Sequence, residues 1–257
     1  MDQSKLRRRA QQLPPALTHG ALRTLRAGAM IPGFVRYAGD ARRYRSMPGA
    51  ERLRLRDAFP KLGDRTLTTP FDVHYLHQDA WAAQRVAEQR PSRHVDVGSR
   101  VELACFLTTV APVTFVDIRP LEAQVEGLES IAGSVLEMPY EDRSLESVSC
   151  LHVVEHIGLG RYGDPLDPLG SRKAMAELQR VVAPGGRLLF ALPVGRPRVC
   201  FNAHRVHDPR FIPEAFSELE LLEFAGVDDG GRFARHRTPE ELAGEAYACG
   251  MYLFRRA

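Results

Sequence analysis

Beyond residue 70, apolar positions alternate between short unbroken runs and stripes at helical spacing. His94-Val95-Asp96-Val97 predicts a short strand ending at Gly98, after a break at Arg90-Pro91-Ser92. Further strands are predicted over 113–116, 131–135, 147–153 and 187–192, with two late ones over 219–224 and 248–254. A helix over 78–88 precedes the first strand. Another spans 171–182, where Ala174, Leu178, Val181 and Val182 mark one apolar face and Pro184-Gly185-Gly186 stops it. Strand–helix alternation of this kind predicts an α/β fold with a doubly wound, mostly parallel sheet. Ligands of such sheets bind at the carboxyl ends of the strands.

The first quarter is patterned differently. Leu17, Ala21, Leu22, Leu25 and Ala29 recur at helical spacing with Arg23 and Arg26 between them, predicting a basic amphipathic helix that ends near Pro32-Gly33. Residues 1–65 hold 15 Lys+Arg against 5 Asp+Glu, a net of +10, and the remainder carries −7. The division expected is a basic, mainly helical N-terminal extension over 1–69 and an α/β domain over 70–257. So uneven a charge points the extension at an anionic partner, or at the acidic body of its own chain. An anionic membrane surface fits an interfacial helix. Nucleic acid fits less well, because aromatic residues for base stacking are few there.

Composition narrows the class. With 257 residues, 44% hydrophobic and 26% charged, and a net charge of +3, the chain has a globular composition rather than a disordered one. No apolar run reaches the roughly 18 residues of a membrane-spanning helix. The N-terminal charges have no apolar segment behind them, so no secretory signal is predicted. Cys105, Cys150, Cys200 and Cys249 stand about fifty residues apart without a C-x-x-C pair and read as small core residues. A reduced, cytoplasmic setting is expected, peripheral to the membrane if the basic segment binds lipid.

Candidate chemistry begins at the first strand-to-helix turn, Asp96-Val97-Gly98-Ser99-Arg100. A glycine there lets a ligand approach the backbone, and Asp117, at the end of the second strand, is placed to accept ribose hydroxyls. Arg100 and Leu103 replace the second and third glycines of G-x-G-x-x-G, which argues against a nicotinamide dehydrogenase.

Two longer segments carry a resemblance. Residues 133–148, GSVLEMPYEDRSLESV, and 177–188, ELQRVVAPGGRL, resemble class I S-adenosylmethionine-dependent methyltransferases around their third to fifth strands. HVDVGS at 94–99, LHVVEHIGLGRYGDPLDP at 151–168 and FNAHR at 201–205 resemble a mainly bacterial, functionally uncharacterised branch of that superfamily, over about residues 70–232. The resemblance implies a Rossmann-like fold and S-adenosyl-L-methionine as cofactor. It implies cofactor contacts at Asp96, Gly98, Ser99, Asp117, Ser134 and His152. Arg100 and Glu102 replace glycines common in the superfamily, and Ser134 replaces an aspartate.

Polar residues then cluster at the ends of the fourth and fifth strands. Arg161, Tyr162 and Asp164 follow the fourth, and Asn202, His204 and Arg205 follow the fifth; Arg161, Tyr162, Asp164, Asn202 and Arg205 are expected to bind the acceptor. Methyl transfer to a hydroxyl needs positioning and a base near neutral pH, which suits histidine. His156 is the first candidate and His204 the second. The run His152-Val153-Val154-Glu155-His156 formally spells a zinc-protease signature, but it straddles a strand end and a loop rather than a helix. A similar E-x-x-E-H run in some quinone O-methyltransferases can hold a divalent cation; no metal is assigned here. The expected function is methyl transfer to a hydroxylated small molecule or glycan precursor. The alternatives are an inactive methyltransferase-like binding protein and, less favoured, a nucleic-acid methyltransferase.

Overall fold

The computed structural model describes residues 31–257, so the amphipathic helix expected over 17–29 lies outside the described residues. The chain divides into two compact units, Met1–Phe71 and Asp72–Ala257. In the first, residues 31–45 are helical, and a single 3₁₀ turn follows at Leu55–Asp57. Pro32 and Gly33 therefore lie within a helix rather than ending one. The bare Gly33 lets Leu62 pack against it, 3.1 Å from where a Cβ would sit.

The second unit opens with α1 (Val73–Gln89), capped by Asp72, whose carboxylate accepts the Tyr75 N–H at 3.1 Å. It ends at Arg90, whose backbone is left-handed, just before Pro91. Next come β1 (His94–Val97), α2 (Val101–Leu107), β2 (Val113–Asp117), β3 (Leu128–Ala132) and β4 (Leu145–Leu151). A 3₁₀ turn at Val154–His156 leads to α3 (Gly170–Val181) and β5 (Val182–Val194). After these come β6 (Arg198–Cys200), β7 (His204–Val206), α4 (Phe211–Ala215), β8 (Glu220–Val227), β9 (Phe233–Ala234), α5 (Pro239–Ala243) and β10 (Ala248–Arg255). The main sheet runs β3-β2-β1-β4-β5-β10-β8-β9, and β6 and β7 form a separate hairpin. Pairing is parallel from β3 to β5 and antiparallel through β10, β8 and β9.

Alternation along the strands explains the layers. Phe115, Leu189, Ala191, Met251 and Leu253 face one side and pack with Trp81 and Val86 of α1 and Leu103 and Leu107 of α2. Val116, Leu188, Phe190, Tyr252 and Phe254 face the other, against Ala174, Met175 and Leu178 of α3. With both faces covered, β1 is buried at all four positions. Phe190 and Phe216 meet edge to face at 4.9 Å within the second layer.

Several strand boundaries differ from expectation, and three of them have a clear local reason. β3 starts three residues early because its register with β2 runs from Val113↔Leu128 to Asp117↔Ala132, which leaves Val135 as a buried residue beyond the strand. β4 ends at Leu151 because His152 adopts a left-handed backbone, φ 57°. Pro184-Gly185-Gly186 does not stop α3. Val182 already pairs with Leu145, and the three residues bulge out before pairing resumes at Ser147↔Arg187.

Helix α1 is also held by a buried ion pair. Glu223 of β8 accepts Trp81 Nε1–H at 3.0 Å and Arg85 Nη1–H at 2.9 Å. Trp81 is thus an anchor of the core. Arg237 is likewise largely buried and bonds Asp228 and the Arg232 carbonyl. Glu223→Ala leaves the Arg85 charge and the indole N–H unpaired, and a loss of about 3–5 kcal/mol in urea unfolding is expected. Glu223→Gln, which keeps the indole partner, is expected to lose less.

Candidate active site

Two cavities open at the carboxyl ends of β1, β2 and β4. The first, about 330 Å³, is bordered by Gly98, Asp117, Ser134, Val135, Tyr162 and Asp164 among others. The second, about 350 Å³, is lined by Tyr75, Arg100, Glu155, Arg161, His204 and Tyr247. Gly98, His152, His156 and Tyr162 border both. Volumes of this size suit a small-molecule ligand.

The first cavity owes its floor to the turn after β1. Gly98 has φ +64°, and a Cβ there would lie 3.4 Å from Val153 and 3.5 Å from Asp117 Oδ2. A side chain would be strained and would crowd the carboxylate. Asp117 Oδ1 accepts the Arg119 N–H at 2.7 Å, while Oδ2 faces Gly98. Ser134 borders the same space and accepts the Leu136 N–H at 3.1 Å.

Asp96 and Ser99 do something other than line that cavity. Asp96 is fully buried; Oδ1 accepts the Ser99 N–H at 3.0 Å, and Oδ2 takes a short hydrogen bond from the Ser149 hydroxyl. Ser99 Oγ in turn accepts the Leu151 N–H at 3.1 Å, and Ser99 borders only the second cavity. Burial pushes the Asp96 carboxyl up to about 6, against the lowering effect of these bonds. The expected direct contact from Asp96 is therefore corrected: both oxygens are spent on holding the turn. Arg100 reaches Asp79 at 3.6 Å and Glu102 at 3.4 Å and lies over the Tyr75 ring.

The second cavity is polar and largely neutral. Burial lowers His152 to about 3, with like-charge neighbours His74, His156 and His204 adding to the effect. Burial also lowers His156 to about 4, although its bond to the Ala203 carbonyl, 2.6 Å from Nδ1, works the other way. That bond places the proton on Nδ1 and leaves Nε2 as an acceptor, 3.7 Å from Glu155 Oε1. Glu155 is 1% exposed, its Oε2 has no partner, and burial raises it to about 8. His204 is lowered by burial and leans on the Tyr247 ring at 5.1 Å.

The expected acceptor residues separate into two groups. Arg161 donates to the Ala203 carbonyl at 3.0 Å and lines the second cavity. Tyr162 borders both cavities, with the Arg119 and Arg161 guanidinium groups 4.5 and 5.0 Å from its ring centre. Asp164 borders the first, where it accepts the Gly158 N–H at 2.6 Å. Arg205 is corrected: it is 8% exposed and donates to the Ile157 carbonyl and to Ser171 Oγ, so it pins the 157–171 loop instead of facing a ligand. Asn202 is exposed and borders neither cavity. Gly158 allows the Asp167 carbonyl to pass where a Cβ would sit, 2.0 Å away, which folds that loop tightly.

Glu155, Tyr75 and Tyr247 were not among the expected site residues. Tyr247 precedes β10, an antiparallel strand whose first residue pairs with Val194, the last of β5. Its start thus falls at the edge where the parallel strands end, and that reversal was the one available signal.

This strand order, with β10 inserted antiparallel between β5 and β8 and the cavities at the parallel strand ends, defines the Rossmann-like fold of class I S-adenosylmethionine-dependent methyltransferases. Solved structures agree. A methyltransferase candidate from a complex with the Haloferax volcanii Trm112 activator superposes with a TM-score of 0.51 at 14% identity, over 72% of this chain and 90% of that one. A candidate sarcosine dimethylglycine methyltransferase from Galdieria sulphuraria gives 0.50 at 16% identity, over 71% and 86%. The [4+2]-cyclase SpnF gives 0.50 at 15%, over 70% and 80%. More narrowly, residues 101–229, half of the chain, match the family described as Caenorhabditis protein of unknown function, DUF268, and the chain belongs to that family. No curated protein matches the sequence.

The raised Glu155 carboxyl has a consequence for stability. The folded state prefers it protonated, so its contribution is complete below the ordinary value of 4.5 and is lost as pH rises through about 8. Glu155→Gln removes that loss. Relative to wild type, the variant is expected to gain unfolding free energy steadily from pH 5 to pH 8.5. Parallel pH–stability curves would place the carboxyl in water.

Proposed function

We propose that this protein is an S-adenosylmethionine-dependent methyltransferase acting on a hydroxylated small molecule or glycan precursor. The observation that carries the reading is the pair of adjoining cavities sharing Gly98, His152, His156 and Tyr162, at the edge where this fold binds ligands. SpnF carries a cyclase name on the same fold, so the architecture alone does not fix the reaction. The residues fit the cofactor: the bare Gly98 turn admits it, Asp117 Oδ2 would accept ribose hydroxyls, and Ser134 and Val135 would flank the base. When bound, the cofactor supplies an electrophilic methyl group on a sulfonium.

The chain's own contribution is positioning and proton removal. Tyr162 and Arg161 hold the acceptor side, and the acceptor proton passes to His156 Nε2 or to His204. His156 Nε2 is unprotonated and, at about 4, a weak base, whereas Glu155, raised to about 8, already carries its proton near neutral pH and takes no second one. Its Oε1 lies 3.7 Å from His156 Nε2. The polar lining of the second cavity supports a hydroxylated acceptor.

For the basic unit we propose contact with an anionic lipid surface. Phe34, Val35, Leu55 and Phe59 are exposed there, and Arg42, Arg45, Arg52 and Arg54 surround a shallow cavity. Full-length protein is expected to sediment with phosphatidylserine vesicles at low salt and to be released by added salt. Equal binding to phosphatidylcholine vesicles would contradict that role.

Thermal unfolding with S-adenosylmethionine and S-adenosylhomocysteine tests the enzyme reading. A ligand at 100-fold above Kd adds about 2.7 kcal/mol, a rise of several degrees that Asp117→Ala is expected to abolish. Transfer of labelled methyl to a panel of hydroxylated acceptors then separates enzyme from binding protein. A shift without transfer to any acceptor favours the inactive, ligand-binding alternative, and absence of any shift removes the cofactor from the account.

A further inference from the structure

Beneath the second cavity, three side chains from distant parts of the chain converge. His74 lies in the first turn of α1, His152 just after β4, and Cys249 at the start of β10. One ligand atom of each lies within 4.8 Å of the others, the one such group of His, Cys, Asp and Glu among the described residues. We propose that His74, His152 and Cys249 form a binding site for a soft divalent metal ion, with zinc the best fit. This site stands apart from the methyl-transfer reading and does not depend on it.

The hydrogen bonds around His152 support the assignment. The Gln78 amide donates from Nε2 to Asp79 Oδ1 at 3.1 Å, which leaves its Oε1 to face the His152 ring. Nδ1 of His152 must then carry the proton it gives to Gln78, and Nε2 holds the lone pair. That Nε2 is sealed from solvent and has no hydrogen-bond partner, so the Cys249 thiol does not supply one. An imidazole fixed through one nitrogen by an amide oxygen, with the other left bare, is the arrangement of a metal ligand. His74 is kept neutral by burial and is braced by stacking on Tyr247 at 5.4 Å.

The donor set selects the ion. Two imidazoles and a thiolate favour zinc over magnesium or calcium, which prefer oxygen. Zinc–nitrogen and zinc–sulfur bonds of about 2.0–2.3 Å require donors about 3.5 Å apart, so a closure of the order of 1 Å brings the three together. Binding converts the Cys249 thiol to thiolate and releases its proton. Three protein ligands leave a tetrahedral ion one further position. The H-x-x-E-H run contributes only its first histidine, since His156 is turned to the Ala203 carbonyl.

Chelator-treated full-length protein, titrated with Co²⁺ and followed by absorption, tests the site. One equivalent is expected to bind with tetrahedral d–d bands and a sulfur-to-cobalt charge-transfer band, all displaced by Zn²⁺. Cys249→Ser is expected to abolish the charge-transfer band, and Gln78→Ala to weaken affinity by about 10–100-fold. No such band with the wild-type chain, or an undiminished one in Cys249→Ser, overturns the proposal. Should Cys249→Ser fail to fold by circular dichroism, His74→Gln decides: a loss of at least about 10-fold supports the site and unchanged affinity overturns it. No methyl donor is present, so failure here leaves the enzyme reading untouched.

Discussion

The architecture of the site depends on one buried carboxylate. Asp96 ties the turn after β1 to β4 by accepting the Ser99 N–H and the Ser149 hydroxyl, and Ser99 returns the link by accepting the Leu151 N–H. These bonds set where Gly98 turns and where β4 lets go of the sheet, one residue before His152. Nearby, His94 bridges Ser147 and Ser149. Burial keeps this histidine neutral, lowering it to about 4. A fully desolvated acid is costly unless its oxygens are matched, and here each is. The two cavities meet at Gly98 and His152 because this polar clamp brings the two strand ends together.

Burial then sets the chemistry of the second cavity. It drives the carboxyl of Glu155 toward its protonated form and the imidazoles of His152 and His156 toward their deprotonated forms. The pocket is therefore rich in hydrogen-bonding groups and poor in charge, apart from Arg100 and Arg161 at its border. Such a wall can orient hydroxyls and move a proton without holding a permanent ion pair. The same desolvation leaves two polar atoms, His152 Nε2 and Glu155 Oε2, buried without partners. Unpaired buried groups of this kind are uncommon in folded proteins, and each calls for a physical explanation.

Much of the fold was legible because both signals it rests on are local. Unbroken apolar runs such as Leu188–Leu192 mark strands covered on both faces, and Gly98 with Asp117 marks the cavity edge. The wall formed by His152, His156, Arg161, Tyr162 and Asp164 was legible too, since all five follow a single strand. What could not be read was orientation and long-range assembly. Asp96 and Arg205 sit at ligand-binding positions in sequence but turn inward to clamp backbone. His74, Gln78, Tyr247 and Cys249 reach the site only because α1 docks on the sheet and β10 inserts antiparallel, so that its first residues arrive where β5 ends. No spacing in the chain encodes that meeting.

The central claim is that the strand ends around Gly98 and Asp117 bind S-adenosylmethionine. Hydrogen–deuterium exchange of the full-length protein with and without S-adenosylhomocysteine tests it most directly. Slowed exchange is expected to be confined to backbone amides near 97–101, 117–119, 133–136, 152–157 and 162–165, with the face built by α3 and α4 unaffected. Protection elsewhere, or none at saturating ligand, would contradict it.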